Sequence, residues 1–162
     1  MSLIINTKLT QLKKGFPTTT DKYTVRGATL NAASADVGNG DLIEYVGDGS
    51  FKKASATTTV ATLAGVCLRS LTHVVNGLTG TGEVVFKAGD TIDLVVGGFI
   101  CVEVAASVDL DDITENAPVR LLNGTLVVDS SSGTQIPGWY FTGTKEQVGG
   151  KKLAGIVIKE IF

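Results

Sequence analysis

Short runs of apolar or alternating residues, separated by glycine-rich turns, make up most of this chain of 162 residues. Between residues 99 and 105 the alternation is regular, and it places Ile100, Val102 and Val104 on one face. A period of two is typical of a β-strand with one buried face. Residues 41–46 are mostly apolar and have turn residues on both sides, so they predict a further strand, with residues 51–53 returning as its hairpin partner.

About nine or ten short strands are predicted in this way between residue 41 and the end of the chain. Their ranges are 41–46, 51–53, 59–71, 83–87, 91–96, 99–105, 117–122, 125–129, 139–143 and 153–162. Turn signals recur every ~8–12 residues, and no helical segments alternate with the strands. We therefore predict an all-β fold, a compact antiparallel β-barrel or β-sandwich of short strands with an extended N-terminal arm.

Glycine-containing turns define several of the predicted connections. Asn123-Gly124 predicts a two-residue hairpin, because both residues tolerate positive φ. Gly97-Gly98 is interpreted as a turn between two strands, and Asn76-Gly77 as a turn or loop. Gly65 lies inside a predicted strand and indicates a bulge or a close backbone approach.

The N-terminal segment differs from the rest of the chain in pattern and charge. Residues 1–27 lack a sustained hydrophobic period, and glycine, proline and a threonine run interrupt any long helix. This segment carries a net charge of +4, whereas residues 28–150 carry −8 and residues 151–162 carry +2. We predict an extended arm at 1–27, with a short strand near 22–26, and a β-barrel or β-sandwich domain at 28–162.

Composition narrows the possible environments and partners. Hydrophobic residues make up 43% of the chain and charged residues 19%, as in folded globular proteins. No apolar stretch reaches the ~20 residues of a membrane span, and no secretory signal pattern is present, so we predict synthesis in a cytoplasm and no membrane partner. The acidic body argues against nucleic acid as a partner. Cys67 and Cys101 lie in predicted strands and are interpreted as buried free thiols, with a disulfide or redox pair as the alternative.

Candidate catalytic and metal-binding residues are few. His73 is the single histidine, and no nucleophile motif lies near it, so histidine-based catalysis is not predicted. The carboxylates of residues 109–115 lack the glycine and the terminal glutamate of a calcium loop, and they are interpreted as a solvated acidic loop. We therefore predict no catalytic residues, no cofactor and no metal site, and a protein that is not an enzyme.

Two other functions are supported by part of the sequence features that they require. Residues 88–93, followed by Gly97-Gly98, are loosely similar to the nucleotide-binding motif of trimeric dUTPases. The aromatic residue that this family has after the aspartate is missing here, and the chain ends in a strand rather than in a glycine-rich closing tail. A β-sandwich carbohydrate-binding module would need exposed aromatic side chains, for which Trp139 and Tyr140 are the candidates in a chain with 6% aromatic residues.

Seven segments between residues 38 and 162 follow one another in a recognisable order of strands and turns. They are Gly-Asp-Leu-Ile-Glu-Tyr-Val at 40–46, Thr-Leu-Ala-Gly-Val-Cys-Leu at 62–68, Ala-Gly-Asp-Thr-Ile-Asp-Leu at 88–94, Gly-Gly-Phe-Ile-Cys-Val-Glu-Val at 97–104, Ala-Pro-Val-Arg-Leu-Leu at 117–122, Phe-Thr-Gly-Thr at 141–144 and Ala-Gly-Ile-Val-Ile at 154–158. In this order they resemble the small cement, or decoration, proteins of tailed-bacteriophage heads.

The resemblance implies a structural virion protein that is made in the bacterial host cytoplasm and sits on the outer surface of a capsid. Its partner would be the major capsid protein, whose subunit contacts it stabilises, and it would be a homo-oligomer, with a trimer favoured. An N-terminal arm would provide apolar anchors and lysines that face an acidic capsid surface, namely Leu3, Ile4, Ile5, Lys8, Lys13 and Lys14. A disordered or self-packed terminus is the alternative for the arm. A head-fibre base or a tail protein is the related alternative for the whole chain.

Overall fold

The computed structural model describes residues 14–15, 23–68, 85–129 and 131–159. Within them it contains eleven strands, one short 3-10 turn and no α-helix. The strands are β1 (Thr24–Thr29), β2 (Val37–Gly38), β3 (Leu42–Tyr45), β4 (Phe51–Lys53), β5 (Leu63–Cys67), β6 (Val85–Phe86), β7 (Thr91–Glu103), β8 (Pro118–Leu122), β9 (Thr125–Val127), β10 (Thr134–Val148) and β11 (Lys151–Ile158), and the 3-10 turn is Leu110–Asp112. The prediction of an all-β fold is confirmed.

Nine of these strands form a single antiparallel sheet. Its order is β4-β3-β5-β7-β11-β10-β8-β9, and β1 pairs with β7 beside this path. The two remaining strands, β2 and β6, form a small antiparallel pair of their own. The large sheet curls into a half-barrel, which is the form that the predicted barrel or sandwich takes.

Two-residue hairpins connect neighbouring strands where the sequence places residues that accept positive φ. Asn123 and Gly124 have φ of 49° and 74°, and they join β8 to β9 as predicted. Gly149 and Gly150, with φ of 56° and 81°, join β10 to β11 in the same way. Positive φ at both central residues matches the right-handed twist of the flanking strands. The predicted return of Phe51–Lys53 against the preceding strand is also confirmed, since β4 pairs with β3.

The interpretation of Gly97-Gly98 as a turn is wrong. Thr91–Glu103 is one uninterrupted strand, β7, in which Gly98 has a φ of 100°. The two glycines lie where β7 changes its neighbour, because Gly97 is opposite Thr24 of β1 and Gly98 is opposite Ile158 of β11. Residues without a Cβ allow a strand to bend sharply at a barrel corner, so the pair marks a bend within a strand rather than its end.

β5 is shorter than predicted, and Gly65 lies at a close backbone approach, as the sequence indicates. The strand begins at Leu63 rather than at Thr59, because Thr59 starts a turn whose carbonyl accepts hydrogen bonds from the N–H groups of Thr62 and Leu63. At Gly65 the backbone of β5 approaches β7 so closely that an added Cβ would overlap the carbonyl oxygen of Val95. The pairing of β3 with β5 also shifts register next to Gly65, as expected for a bulge.

The interior consists of two clusters of buried hydrophobic side chains. The larger one includes Phe141, which is 1% exposed, and the smaller one includes Phe86 at 2%. β7 contributes to both clusters, with Ile100 in the larger and Ile92 in the smaller. The two clusters therefore share a central strand.

The division into an arm at 1–27 and a body at 28–162 stays a prediction, and β1 crosses the boundary between them. β1 spans Thr24–Thr29 and pairs with β7, so the last residues of the proposed arm are part of the sheet. Other predictions lie outside the described residues: His73, the turn at Asn76-Gly77, and the arm residues Leu3, Ile4, Ile5, Lys8 and Lys13.

Candidate functional site

Lys14 lies in a cluster of charged side chains at the surface of the sheet. Its Nζ is 2.5 Å from Oδ1 of Asp41 and 3.4 Å from Oε2 of Glu103. The second oxygen of Asp41 accepts from Lys53 Nζ at 2.8 Å and from the Gly38 N–H at 2.7 Å. Asp41 is only 8% exposed, so two ammonium groups and a backbone donor satisfy a buried carboxylate.

The charges in this cluster stabilise one another. Burial alone would raise the pKa of the Asp41 carboxyl, but the Lys14 ammonium and the hydrogen bonds from Lys14, Lys53 and Gly38 hold that pKa below its usual value. Burial alone would lower the pKa of Lys14, but Asp41 and Glu103 raise it above its usual value. With its pKa raised, Lys14 keeps the ammonium form at neutral pH, in which it is neither a base nor a nucleophile.

Two glycines hold the backbone next to Lys14 against the body. The N–H of Gly15 donates to the carbonyl of Cys101 in β7 at 2.8 Å, and the N–H of Gly40 donates to the carbonyl of Cys67 in β5 at 2.7 Å. A Cβ added to Gly15 would lie 2.6 Å from the Gly40 nitrogen. We call Lys14, Gly15, Gly40 and Asp41 the N-terminal anchor.

A cavity of about 290 Å³ lies beside the N-terminal anchor. Its titratable lining groups are Lys14, Asp41, Lys53 and Glu103, and these are ion-paired with one another. A wider depression of about 650 Å³ is lined by residues 56–61 and by parts of β8 and β10, and no titratable group is among the described residues that line it. Neither surface brings together a nucleophile and a base.

Cys67 and Cys101 are free and buried, as predicted from their positions in strands. Burial raises the pKa of each thiol to about 12, and the nearby carboxylates of Asp41 and Asp93 contribute at Cys67. Since the thiolate is the reactive form, burial and the raised pKa both disfavour reaction of these thiols in the folded protein.

Asp109 and Asp90, which lie in stretches considered as candidate sites in the sequence, have local structural roles. Asp109 caps the 3-10 turn by accepting from the Asp111 N–H at 3.0 Å. Asp90 accepts from the Lys87 N–H at 2.7 Å, so the stretch with a loose likeness to a dUTPase motif forms a turn that leads into β7. In the described parts of the chain, no group of three His, Cys, Asp or Glu side chains is placed to hold a metal ion. The same parts contain no helix that is long and apolar enough to cross a membrane.

The aromatic side chains that are candidates for sugar binding do not form an exposed platform. Trp139 is 7% exposed and belongs to the larger core cluster. Tyr140 is half-buried, and Lys159 Nζ lies 4.8 Å from the centre of its ring. Tyr45 packs against Phe51 with ring centres 5.4 Å apart. The two candidates, Trp139 and Tyr140, therefore give no support to a carbohydrate-binding module.

Among the six residues predicted to form a capsid-binding arm, Lys14 is the one that the structure describes. Its ammonium group pairs with Asp41 and Glu103 of its own chain, and its contact with a capsid stays a prediction. Its partners Asp41, Gly15 and Gly40 are not among the residues that the sequence predicts for this site. Asp41 and Lys14 are 27 positions apart, and a pattern read along the chain carries no signal for such a pair.

Comparison with known proteins finds a family that matches the sequence and a solved structure with a similar fold. A family model described as structural cement protein (E217 gp24/Pam3 gp6) matches residues 5–159. No curated protein matches the chain. A chain of the solved structure "The capsid of Myoviridae Phage XM1" is similar at 16% sequence identity and a TM-score of 0.64, over 99% of this chain and 100% of that chain. At this identity the likeness shows a shared fold, and the family match, which covers nearly the whole sequence, shows that the chain belongs to the phage structural cement proteins.

Proposed function

We propose that this protein binds the outer surface of a phage capsid and stabilises the contacts between major capsid protein subunits. The observation that carries the proposal is the match of residues 5–159 to the structural cement family. The half-barrel supports it, because the charged groups that line its cavity are paired within the chain rather than arranged for turnover. We propose that the protein is located in the virion and that its partner is the major capsid protein.

The physical effect of such binding follows from repetition. A capsid opens where subunits meet, and a protein that bridges two subunits must be released before they separate. Each bridge adds a modest free energy, and the symmetry of the shell repeats it many times, so the sum is large. A nine-stranded sheet suits this role, because backbone hydrogen bonds within it keep the body rigid while it bears on its neighbours.

The proposed capsid contact of the arm rests on residues that precede the N-terminal anchor. Leu3, Ile4 and Ile5 would be buried against a capsid subunit, and Lys8 and Lys13 would face acidic groups. An extended segment of this kind can add a strand to an exposed sheet edge and gain backbone hydrogen bonds. Lys14 is already paired within the chain, so in place of the capsid contact predicted from the sequence we propose that this lysine holds the arm.

The test uses capsids that lack the protein. Purified protein is added, free protein is removed by sedimentation, and the melting temperature of the capsid is measured by calorimetry. We expect co-sedimentation and a higher capsid melting temperature. Absence of binding, or binding that leaves the melting temperature unchanged, would contradict the proposed function.

A truncation tests the contribution of the arm. Removing residues 1–13 leaves the N-terminal anchor and β1 intact, whereas a cut at residue 27 would remove most of β1 from the sheet. We expect the shorter protein to keep its own unfolding temperature and to bind capsids more weakly. Equal affinity of the two proteins would refute the assignment of Leu3, Ile4, Ile5, Lys8 and Lys13.

A further inference from the structure

We propose that the N-terminal anchor holds residues 14 and 15 against the sheet, and that it thereby positions the proposed arm, which adjoins it in the sequence, for the capsid. This inference rests on the proposed function for its purpose, but the existence of the anchor can be tested on the isolated protein. Lys14 and Gly15 are positioning residues in this proposal, since they act on the capsid contact through the segment that they hold.

The backbone part of the anchor depends on the absence of two side chains. Gly15 and Gly40 have φ of 78° and 74°, a region that residues with a Cβ rarely adopt. Their main chains lie against each other, so that a Cβ on Gly40 would lie 2.5 Å from the Gly15 nitrogen. Each glycine donates its N–H to a carbonyl of the sheet, Gly15 to Cys101 and Gly40 to Cys67. A side chain at either position would push the two backbones apart.

The side-chain part of the anchor is the ion pair of Lys14. Asp41 lies in the connection between β2 and β3, and Glu103 ends β7, so Lys14 joins two separate parts of the body. Its side chain is 25% exposed and that of Asp41 is 9% exposed, which limits screening by solvent. Lys53 also binds Asp41, at 2.8 Å, and keeps this carboxylate in place for Lys14.

Fixing the residue at which the arm begins reduces the conformational entropy that the arm loses when it binds. A segment that starts from one defined point explores a smaller volume than a segment that starts further back in the chain. Its effective concentration at a neighbouring surface is therefore higher, and less conformational freedom is lost when it binds. Release of the anchor should weaken capsid binding even though no capsid-contacting side chain has changed.

The first experiment measures amide hydrogen exchange at residue 15 by NMR, in the wild-type protein and in Gly15→Val. We expect the wild-type amide to be protected, and the variant amide to exchange at least about tenfold faster. Gly49→Val is the matched control, because Gly49 also has a positive φ, 86°, but nothing lies within 4 Å of its added Cβ. Core amides of β7 should stay protected in both variants, which shows that the body is folded.

A charge variant tests the anchor independently of backbone strain. Lys14→Ala should also speed exchange at residue 15 by about tenfold or more, since a charge-assisted hydrogen bond is lost. Lys87→Ala is its control, because it removes an equally charged partner from an exposed ion pair with Asp36, and it should leave residue 15 protected. An unprotected Gly15 amide in the wild-type protein would overturn the anchor.

The second experiment measures capsid affinity for the same four variants. We expect Gly15→Val and Lys14→Ala to bind at least about threefold more weakly than their controls. If the anchor variants free residue 15 but bind capsids as tightly as the wild-type protein, the positioning role is wrong. If the wild-type protein itself does not bind capsids, the proposed function fails, while the exchange data still decide whether the anchor exists.

Discussion

Replacing Gly65 with alanine should destabilise the protein strongly, although the change adds a single methyl group. Gly65 lies in β5, where the strand approaches β7. The added Cβ would lie inside 3.0 Å of the Val95 carbonyl oxygen, a separation that real Cβ atoms essentially never show, and at 3.1 and 3.2 Å from Cγ and Cδ1 of Leu94. The obstacle is main chain as well as side chain, so a change of rotamer alone does not relieve it.

The magnitude follows from overpacking. Forcing an extra methyl group into a packed interior costs about 1–3 kcal/mol, and the backbone clash at Gly65 places this substitution at about 2–3 kcal/mol. For a domain of this size the loss corresponds to a fall in Tm of about 5–10 °C. Thermal unfolding followed by circular dichroism gives the Tm, and urea titration gives the free energy of unfolding.

Gly27→Ala provides a matched control on β1, another of the strands that pair with β7. Gly27 lies in β1 opposite Asp93, is exposed, and has nothing within 4 Å of an added Cβ. Its replacement should be neutral or stabilise the protein by a few tenths of a kcal/mol, because alanine restricts the unfolded chain. A loss below about 0.5 kcal/mol for Gly65→Ala, or equal losses for both variants, would refute the reasoning.

Three further predictions concern thiols, acid stability and assembly. Cys67 and Cys101 are both 0% exposed, so we expect a thiol reagent at about pH 8 to label neither in the native protein and both in denaturant; rapid native labelling would contradict their burial. The lowered pKa of Asp41 stabilises the fold above the unfolded value of about 3.9, and this contribution is lost as the pH falls through the folded pKa. Asp41→Asn should therefore cost about 2 kcal/mol at about pH 7 in urea titrations, with a smaller difference at about pH 3, and a difference independent of pH would be inconsistent with this cause. We also expect light scattering to report a homo-oligomer, with a trimer of three 16.8-kDa chains favoured, and a monomeric mass at all concentrations would rule this out.

The parts of the fold that the sequence predicts well are those set by neighbouring residues. The hairpin at Asn123-Gly124 is correct because two adjacent residues determine the turn, whatever the rest of the chain does. The bulge or close approach at Gly65 is correct for a similar reason, since a glycine inside an apolar run weakens the strand and typically marks such a feature. The position and direction of β3 and β4 also follow from local turns.

The features of the fold that the sequence does not predict depend on residues that are far apart along the chain. Gly97-Gly98 has the composition of a turn, and only the pairing with β1 before it and β11 after it shows that the strand continues. The N-terminal anchor is invisible for the same reason, because Lys14 meets Asp41 only when the sheet has formed. Charge alone suggests an outward-facing lysine at position 14, and the structure gives this lysine acidic neighbours in its own chain.

The bend at Gly97-Gly98 has a consequence for the way in which the protein bears load. Since β7 is continuous, it carries Ile92 in one hydrophobic cluster and Ile100 in the other. Neither cluster can come apart without pulling on hydrogen bonds that hold the second one, so we expect both to be lost in one cooperative transition. A pull on either half of the sheet would reach the other half through a covalent main chain, and the molecule would resist extension as one body.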